Sequence, residues 1–137
     1  MARGKVVSQE EYETLAALRY HLRQFLRFSE DAAKQVGLAP QQHQALLTIK
    51  GFPERDCVTI SELAERLQIK HQSAVGLVNR LVAQDLVVRQ SATEDRRQVY
   101  ITLTSRGSEL LLELTAAHHE ELRRMRATFQ GLLDRIA

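Results

Sequence analysis

Between Thr59 and Leu103 the chain sets two short helices, a tight turn and two strands in immediate succession, and few folds accommodate that order. Thr59-Ile60-Ser61-Glu62 is a capping box, in which a Ser or Thr and a Glu three residues later satisfy each other's backbone N–H at a helix start. The helix it opens runs from Ser61 to Leu67, and Gln68-Ile69-Lys70 forms a turn without glycine. A second helix follows from His71 to about Gln84, with Val75, Val78, Leu81 and Val82 on one face. Asp85 ends it. Leu86 to Gln90 is then a strand. Its partner alternates, with Val99, Ile101 and Leu103 facing one way and Gln98, Tyr100 and Thr102 the other. A helix-turn-helix joined directly to a two-stranded hairpin is a winged helix, and the combination is far more specific than either half.

The flanks are helical. Ser8 caps a helix that starts Gln9-Glu10-Glu11, where acids suit the positive end of the dipole. Tyr12, Leu15, Leu18, Leu22 and Phe25 give it an apolar stripe, and Gly37 marks its end after about Gln35. Pro40 opens a second helix, with Ala45, Leu46 and Ile49 inward, although Ala39 is a poor cap; Gly51-Phe52-Pro53 breaks it. Cys57-Val58 is a short extended piece. Thr104 caps a last helix from Ser105 toward Ile136, striped by Leu111, Leu114, His118, Leu122, Met125, Phe129, Leu132 and Ile136. A small winged lobe cannot cover two stripes this long. The terminal helices therefore pack on each other and offer the surplus to a second copy, most simply in a two-fold dimer. The expected fold is mainly α: one domain over 1–137, with a winged-helix lobe at 38–104 and dimerisation helices at 8–37 and 105–137.

Composition narrows the function. The net charge of +2 permits contact with a polyanion without arguing for it. Position says more: Glu10, Glu11, Glu13, Glu30 and Asp31 lie early, whereas Lys70, Arg80, Arg89, Arg96 and Arg97 cluster around the winged segment. Aromatics are 5% of the chain, with no Trp, too few for a platform that stacks single-stranded bases. No apolar run reaches the length of a membrane span and the N-terminus carries no apolar signal core, so the cytoplasm is the expected compartment. The single cysteine, Cys57, excludes an internal disulfide and a multi-cysteine metal site.

The order of elements, with the strings TISELAERLQIKHQSAVGLVNRLVAQDLVVR and EDRRQVYITLTSRG, resembles the MarR family of bacterial transcriptional regulators. The resemblance extends from GLAPQQHQALLTI to the closing helix. It is most specific at Asp95-Arg96-Arg97 and the following strand, which ends Leu103-Thr104-x-x-Gly107. It implies a homodimer on palindromic operator DNA, with a small, often aromatic, ligand or an oxidant lowering DNA affinity. Two positions depart from the pattern. Asp85 stands where the family commonly has Gly, and Asp is one of the few other residues that tolerate a left-handed backbone. Cys57 lies outside the first helix, where peroxide-sensing members carry their cysteine, so that mechanism does not transfer.

The winged fold gives each candidate residue a role. The recognition helix begins His71-Gln72-Ser73, and its N-terminal side chains face base edges in a major groove. Gln72 can bond adenine bidentately, Ser73 suits base or phosphate, and His71 can donate to guanine or phosphate. Gly76 allows close backbone approach one turn on. Asn79 is a further candidate, farther along. Lys70 and Arg80 suit phosphate, as does Ser61 at the preceding helix start, while Thr59 there acts as a cap. By resemblance Arg97 is the wing arginine that enters a narrow minor groove, with Asp95 orienting it and Arg96 on phosphate. Without the preceding helix-turn-helix, Glu94 to Arg97 would read as a solvated turn of weak salt bridges. The same resemblance places a ligand pocket between the dimerisation helices and the DNA-binding lobe, to which Tyr20, His21, Arg23 and His43 are candidates.

Other chemistries find less support. His118 and His119 are adjacent and diverge on a helix, and His118 with Glu121 supplies two ligands where zinc needs more. A hydrogen-bonded His118 at a helix interface is the simpler reading. Gly37, Gly51, Gly76, Gly107 and Gly131 are scattered, and no nucleophile–base pair or phosphate loop accompanies them, so neither an enzyme nor a bound cofactor is expected. Cys57 beside Val58 is expected to be inert packing. The expected function is that of a sequence-specific regulator of transcription, a repressor relieved by a small ligand. The alternative is a winged helix that binds protein, which predicts a neutral or apolar recognition face; His71-Gln72-Ser73 with Lys70 and Arg97 argues against it.

Overall fold

A computed structural model of the chain describes residues 6–91 and 98–136. Among them lie α1 (Gln9–Gln35), α2 (Pro40–Lys50), β1 (Cys57–Val58), α3 (Ile60–Leu67), α4 (His71–Ala83), β2 (Val87–Ser91), β3 (Val99–Leu103) and α5 (Ser105–Asp134). The architecture is mainly α, a winged helix-turn-helix with a long helix at either end.

Local chemistry explains most element boundaries. At the start of α1, Glu11 N–H donates to Ser8 Oγ at 3.2 Å and Ser8 N–H to Glu11 Oε1 at 3.0 Å, a complete capping box. Gly37 ends the helix at φ 82°, and Leu38 N–H reaches back to the Ala33 carbonyl at 2.9 Å. Ala39 has no side chain to cap α2, but Gln42 Oε1 accepts its N–H at 2.9 Å. The Thr59–Glu62 box opens α3 one residue earlier than the sequence suggested. Gln68 then supplies the left-handed turn that glycine usually provides, at φ 56°, with its side-chain amide donating to the Glu65 carbonyl at 2.7 Å. Asp85 does the same after α4, at φ 60°.

The wing is a three-stranded antiparallel sheet in the order β1-β3-β2, so Cys57-Val58 is an edge strand paired with Thr102 and Ile101. The β2–β3 ladder runs from Val87 opposite Leu103 to Ser91 opposite Val99. Ile101 is fully buried and Val99 and Leu103 pack against the core, as the alternation required.

The core belongs to the winged lobe. Leu46, Ile49, Val58, Leu63, Leu77, Val78, Leu81, Leu86, Val87 and Ile101 are its large, fully buried side chains. On α4 the inward face is Ala74, Leu77, Val78 and Leu81; Val75 and Val82, read as core from sequence, are only half-buried. Ala74 and Leu77 complete the 3.6-residue stripe, and the two valines flank it.

One junction seats α5 on the lobe. Thr104 Oγ1 accepts Gly107 N–H at 3.0 Å, capping the helix, and donates to the Asp85 carbonyl at 2.7 Å. Thr104 N–H donates to the Leu86 carbonyl at 3.0 Å. Gly107 rests on that same carbonyl so closely that a Cβ would lie 2.2 Å from the oxygen. Farther along, α5 packs on α1. Leu111, Leu114, His118 and Leu132 are buried, yet Leu122 and Ile136 of the expected stripe are exposed. On α1, Tyr12, Leu15 and Leu22 are exposed as well. The apolar surplus foreseen for the terminal helices is present on the protomer.

Candidate nucleic-acid interface

Sequence dictates an open N-terminus on α4. Lys70 occupies the cap position in extended conformation and makes no side-chain cap bond, so the first-turn N–H groups keep their donors free. Lys70, His71, Gln72 and Ser73 are all exposed there, while Ala74 behind them is buried. The four residues thus form one polar end standing on an apolar base, with the partial positive charge of a helix start.

The next turn is arranged differently from expectation. A Cβ at Gly76 would meet only Arg80 Nη1, at 3.6 Å, an ordinary contact. Nothing among the described residues demands glycine here. Arg80 folds back one turn, so its guanidinium lies over Gly76 on the same surface. Asn79 accepts a hydrogen bond from the Arg89 guanidinium on β2. That contact engages Asn79 and ties the recognition helix to the wing. Sequence had placed Arg89 in the basic cluster without giving it a role. Its only signal was a cation on an exposed strand position next to the helix.

Asp95, Arg96 and Arg97 lie outside the described residues. The ladder that leads to them is fixed as far as Ser91 and Val99.

Beside the wing, the loop after α2 is organised by Arg55. Its guanidinium bonds Glu62 Oε2 at 2.5 Å and stacks 4.5 Å from the Phe52 ring centroid and 5.6 Å from that of Tyr100 on β3. Glu62 gives its other oxygen to Thr59 N–H at 2.9 Å, so one carboxylate serves the cap and the loop together. Burial works to raise its pKa, but the Arg55 and Thr59 bonds outweigh burial and hold it below the usual value. Thr59 Oγ1 accepts Glu62 N–H, the capping role expected of it, and Ser61 is exposed at the helix start.

The four pocket candidates do not converge. Tyr20 and His21 line an open groove between α1 and α5 of about 610 Å³, with Gln24, Arg27, Glu121 and Arg124. Gln24 joins them, donating to Tyr20 Oη at 3.0 Å and bonding His21 Nδ1 at 2.9 Å. Arg23 is exposed and outside that lining. His43 is elsewhere, 3% exposed in the interior, its ring centroid 4.8 Å from that of His118. The i, i+3 and i+4 spacing on α1 gathered the first two with Gln24; burial of α2 removed the last. His118 is 9% exposed and hydrogen-bonded at both ring nitrogens, in keeping with the interface reading. Among the described residues, no group of three or more His, Cys, Asp or Glu side chains is placed to hold a metal ion. No helix among them is long and apolar enough to cross a membrane. Cys57 is half-buried in β1.

Residues 36–98, which span the helix-turn-helix and the start of the wing, match the model of the MarR family. That segment is similar to the MarR family. The HTH-type transcriptional repressor MdtR of Bacillus subtilis (strain 168) is 28% identical over 86 residues, 63% of this chain and 54% of that protein. The HTH-type transcriptional regulator FarR of Neisseria gonorrhoeae is 35% identical over 66 residues, 48% of this chain and 45% of that protein. The aligned region thus spans about half the length of these MarR-type relatives. A point mutant of S. aureus MepR bound to an oligodeoxyribonucleotide superimposes with a TM-score of 0.69 at 20% identity, covering 92% of this chain and 98% of that one. At that identity the likeness is one of fold, and it takes in both terminal helices.

Proposed function

We propose that the protein is a homodimeric regulator of transcription that binds a palindromic double-stranded DNA site. The observation that carries this reading is the exposed, uncapped polar end of α4, with Lys70, His71, Gln72 and Ser73 beside a wing. Such an end fits a major groove, with Gln72, His71 and Ser73 toward base edges and Gly76 toward the groove floor. Lys70 and Arg80 go to phosphate. Arg97 enters the adjacent minor groove, with Asp95 and Arg96 in the supporting roles that the family resemblance implies. The second copy is held by exposed apolar side chains of α1, α5 and the residues just after α5, among them Leu15, Leu22, Leu122 and Ile136. Half-sites then lie about one helical turn apart, roughly 34–36 Å.

Repression is the sign favoured by MdtR, a named repressor. A small aromatic ligand relieves it by binding preferentially to dimers whose recognition helices are out of step with that spacing. The α1/α5 groove at Tyr20 and His21 is where such a ligand would be sought first. A regulator of this kind works in the cytoplasm, with no catalytic step and no cofactor.

Selection of bound sequences from a random double-stranded pool tests the reading. Enrichment of a two-fold symmetric site is the expected result. Retention of DNA without enrichment, or none at all, would sink it in favour of a protein-binding winged helix.

A further inference from the structure

α2 is a short helix with buried polar residues at two successive positions, Gln42 and His43, and they engage different helices. Gln42 Nε2 donates to Gln84 Oε1 at 2.7 Å, at the end of the recognition helix. His43 packs its ring against His118 of α5 at 4.8 Å. Phe25 and Phe28 of α1 close the box, edge-on to His118 at 5.8 and 5.3 Å. His118 Nδ1–H donates to the Leu114 carbonyl at 2.6 Å, and its Nε2 faces Ser29 Oγ at 2.8 Å. Because a hydroxyl both donates and accepts, Ser29 can satisfy His118 either neutral or protonated. His43 has no such provision: its Nδ1 is buried and finds no hydrogen-bond partner among the described residues.

We infer that His43 and His118 form a buried proton-sensing pair, which holds α2 against α1 and α5 when His43 is neutral and releases it when His43 is charged. Two charged imidazoles at this separation, walled by phenylalanines, cannot both stay in place. Burial first, and His118 second, lower the pKa of His43. Among the described residues, His118 is the titratable or charged group that acts on His43; on its other side His118 meets Phe25, Phe28 and Ser29 of α1. The sign follows from linkage. A histidine whose pKa is lowered by packing leaves the packed state fully stable above the ordinary value of about 6.5. Stability is lost as the pH falls through the lowered value, because the opened state takes up the proton first. Release of α2 also frees Gln42 from Gln84, so the disturbance reaches the recognition helix. The proton site rests on packing alone; its effect on DNA rests on the function proposed above.

Two measurements on the full chain separate these. Thermal unfolding is followed between about pH 7.5 and 5.5, the range in which imidazole titrates. The midpoint is expected to fall with acid, and His43→Leu is expected to remove most of that fall. An equal fall in both proteins overturns the proposal. If His43→Leu does not fold, the imidazole NMR signals of the unaltered protein decide. His43 should stay neutral below the ordinary imidazole value of about 6.5, and titration at or above that value overturns the pair. DNA affinity is then measured over the same range at fixed salt, on the palindrome recovered by selection. One linked proton weakens binding by up to about tenfold per pH unit. His71 stands at the proposed DNA-reading end of α4, so the comparison is made in a His71→Gln background. Affinity independent of pH there, beside a pH-dependent midpoint, overturns the coupling while the proton site stands. Absence of DNA binding at every pH refutes the proposed function and leaves the first measurement to judge the pair.

Discussion

On the proposed function, single side chains at the α4 end carry the sequence preference, and the most informative is Gln72. Its replacement by Ala is expected to cost about 1–3 kcal/mol at one base pair per half-site, relaxing discrimination there. Binding titrations against a set of single-base operator variants read this directly, and an equal loss on all of them would move Gln72 to phosphate. Gly107 tests a different kind of necessity. Its Cα sits against the Leu86 carbonyl, where an added Cβ would lie 2.2 Å from the oxygen. Gly107→Ala must therefore push α5 off its seat, and we expect destabilisation of about 1–3 kcal/mol in urea unfolding. An unchanged midpoint would mean that the seat yields freely.

The wing and the recognition helix act as elements. Arg97→Ala is expected to weaken operator binding, leave the dimer intact and reduce the salt dependence of affinity; unchanged affinity would remove the wing from the mechanism. At this scale the sequence was readable where the chain punctuates itself. Ser8, Pro40, the Thr59–Glu62 box, Asp85 and Thr104 each bound an element by a local bond or backbone preference, and all fell where expected to within a residue or so. What could not be read depends on contacts between residues distant along the chain. The Arg89–Asn79 bond depends on how the wing folds over α4. The burial of His43 depends on where α5 lays His118, and no neighbour of His43 announces it. The α4 core face was misjudged because the valines drew attention, whereas Ala74 is buried for its position and small size.

For the whole molecule, the issue is what covers α1 and α5. Leu122 and Leu133 are exposed on one side of α5, beside Phe129, around a shallow apolar groove of about 520 Å³. Placing Glu at both, by Leu122→Glu with Leu133→Glu, is expected to convert a dimer to monomers in sedimentation and to abolish operator binding, while thermal unfolding still shows a folded lobe. A dimer that survives the pair would put the contact on α1.

The seating of α5 on Asp85, Leu86 and Gly107 has a mechanical consequence. A helix of 30 residues is about 45 Å long. It is pinned at its first turn to the residues that end the recognition helix, and runs from there along α1. It is a lever arm whose fulcrum is the back of the proposed DNA-reading surface. A tilt of about 5° at the fulcrum sweeps the far tip through about 4 Å, by the helix length. Conversely, a few ångströms imposed at the tip, where exposed apolar side chains would meet a partner, turn the reading head by degrees. Affinity for DNA can in this way be adjusted far from any residue that touches it.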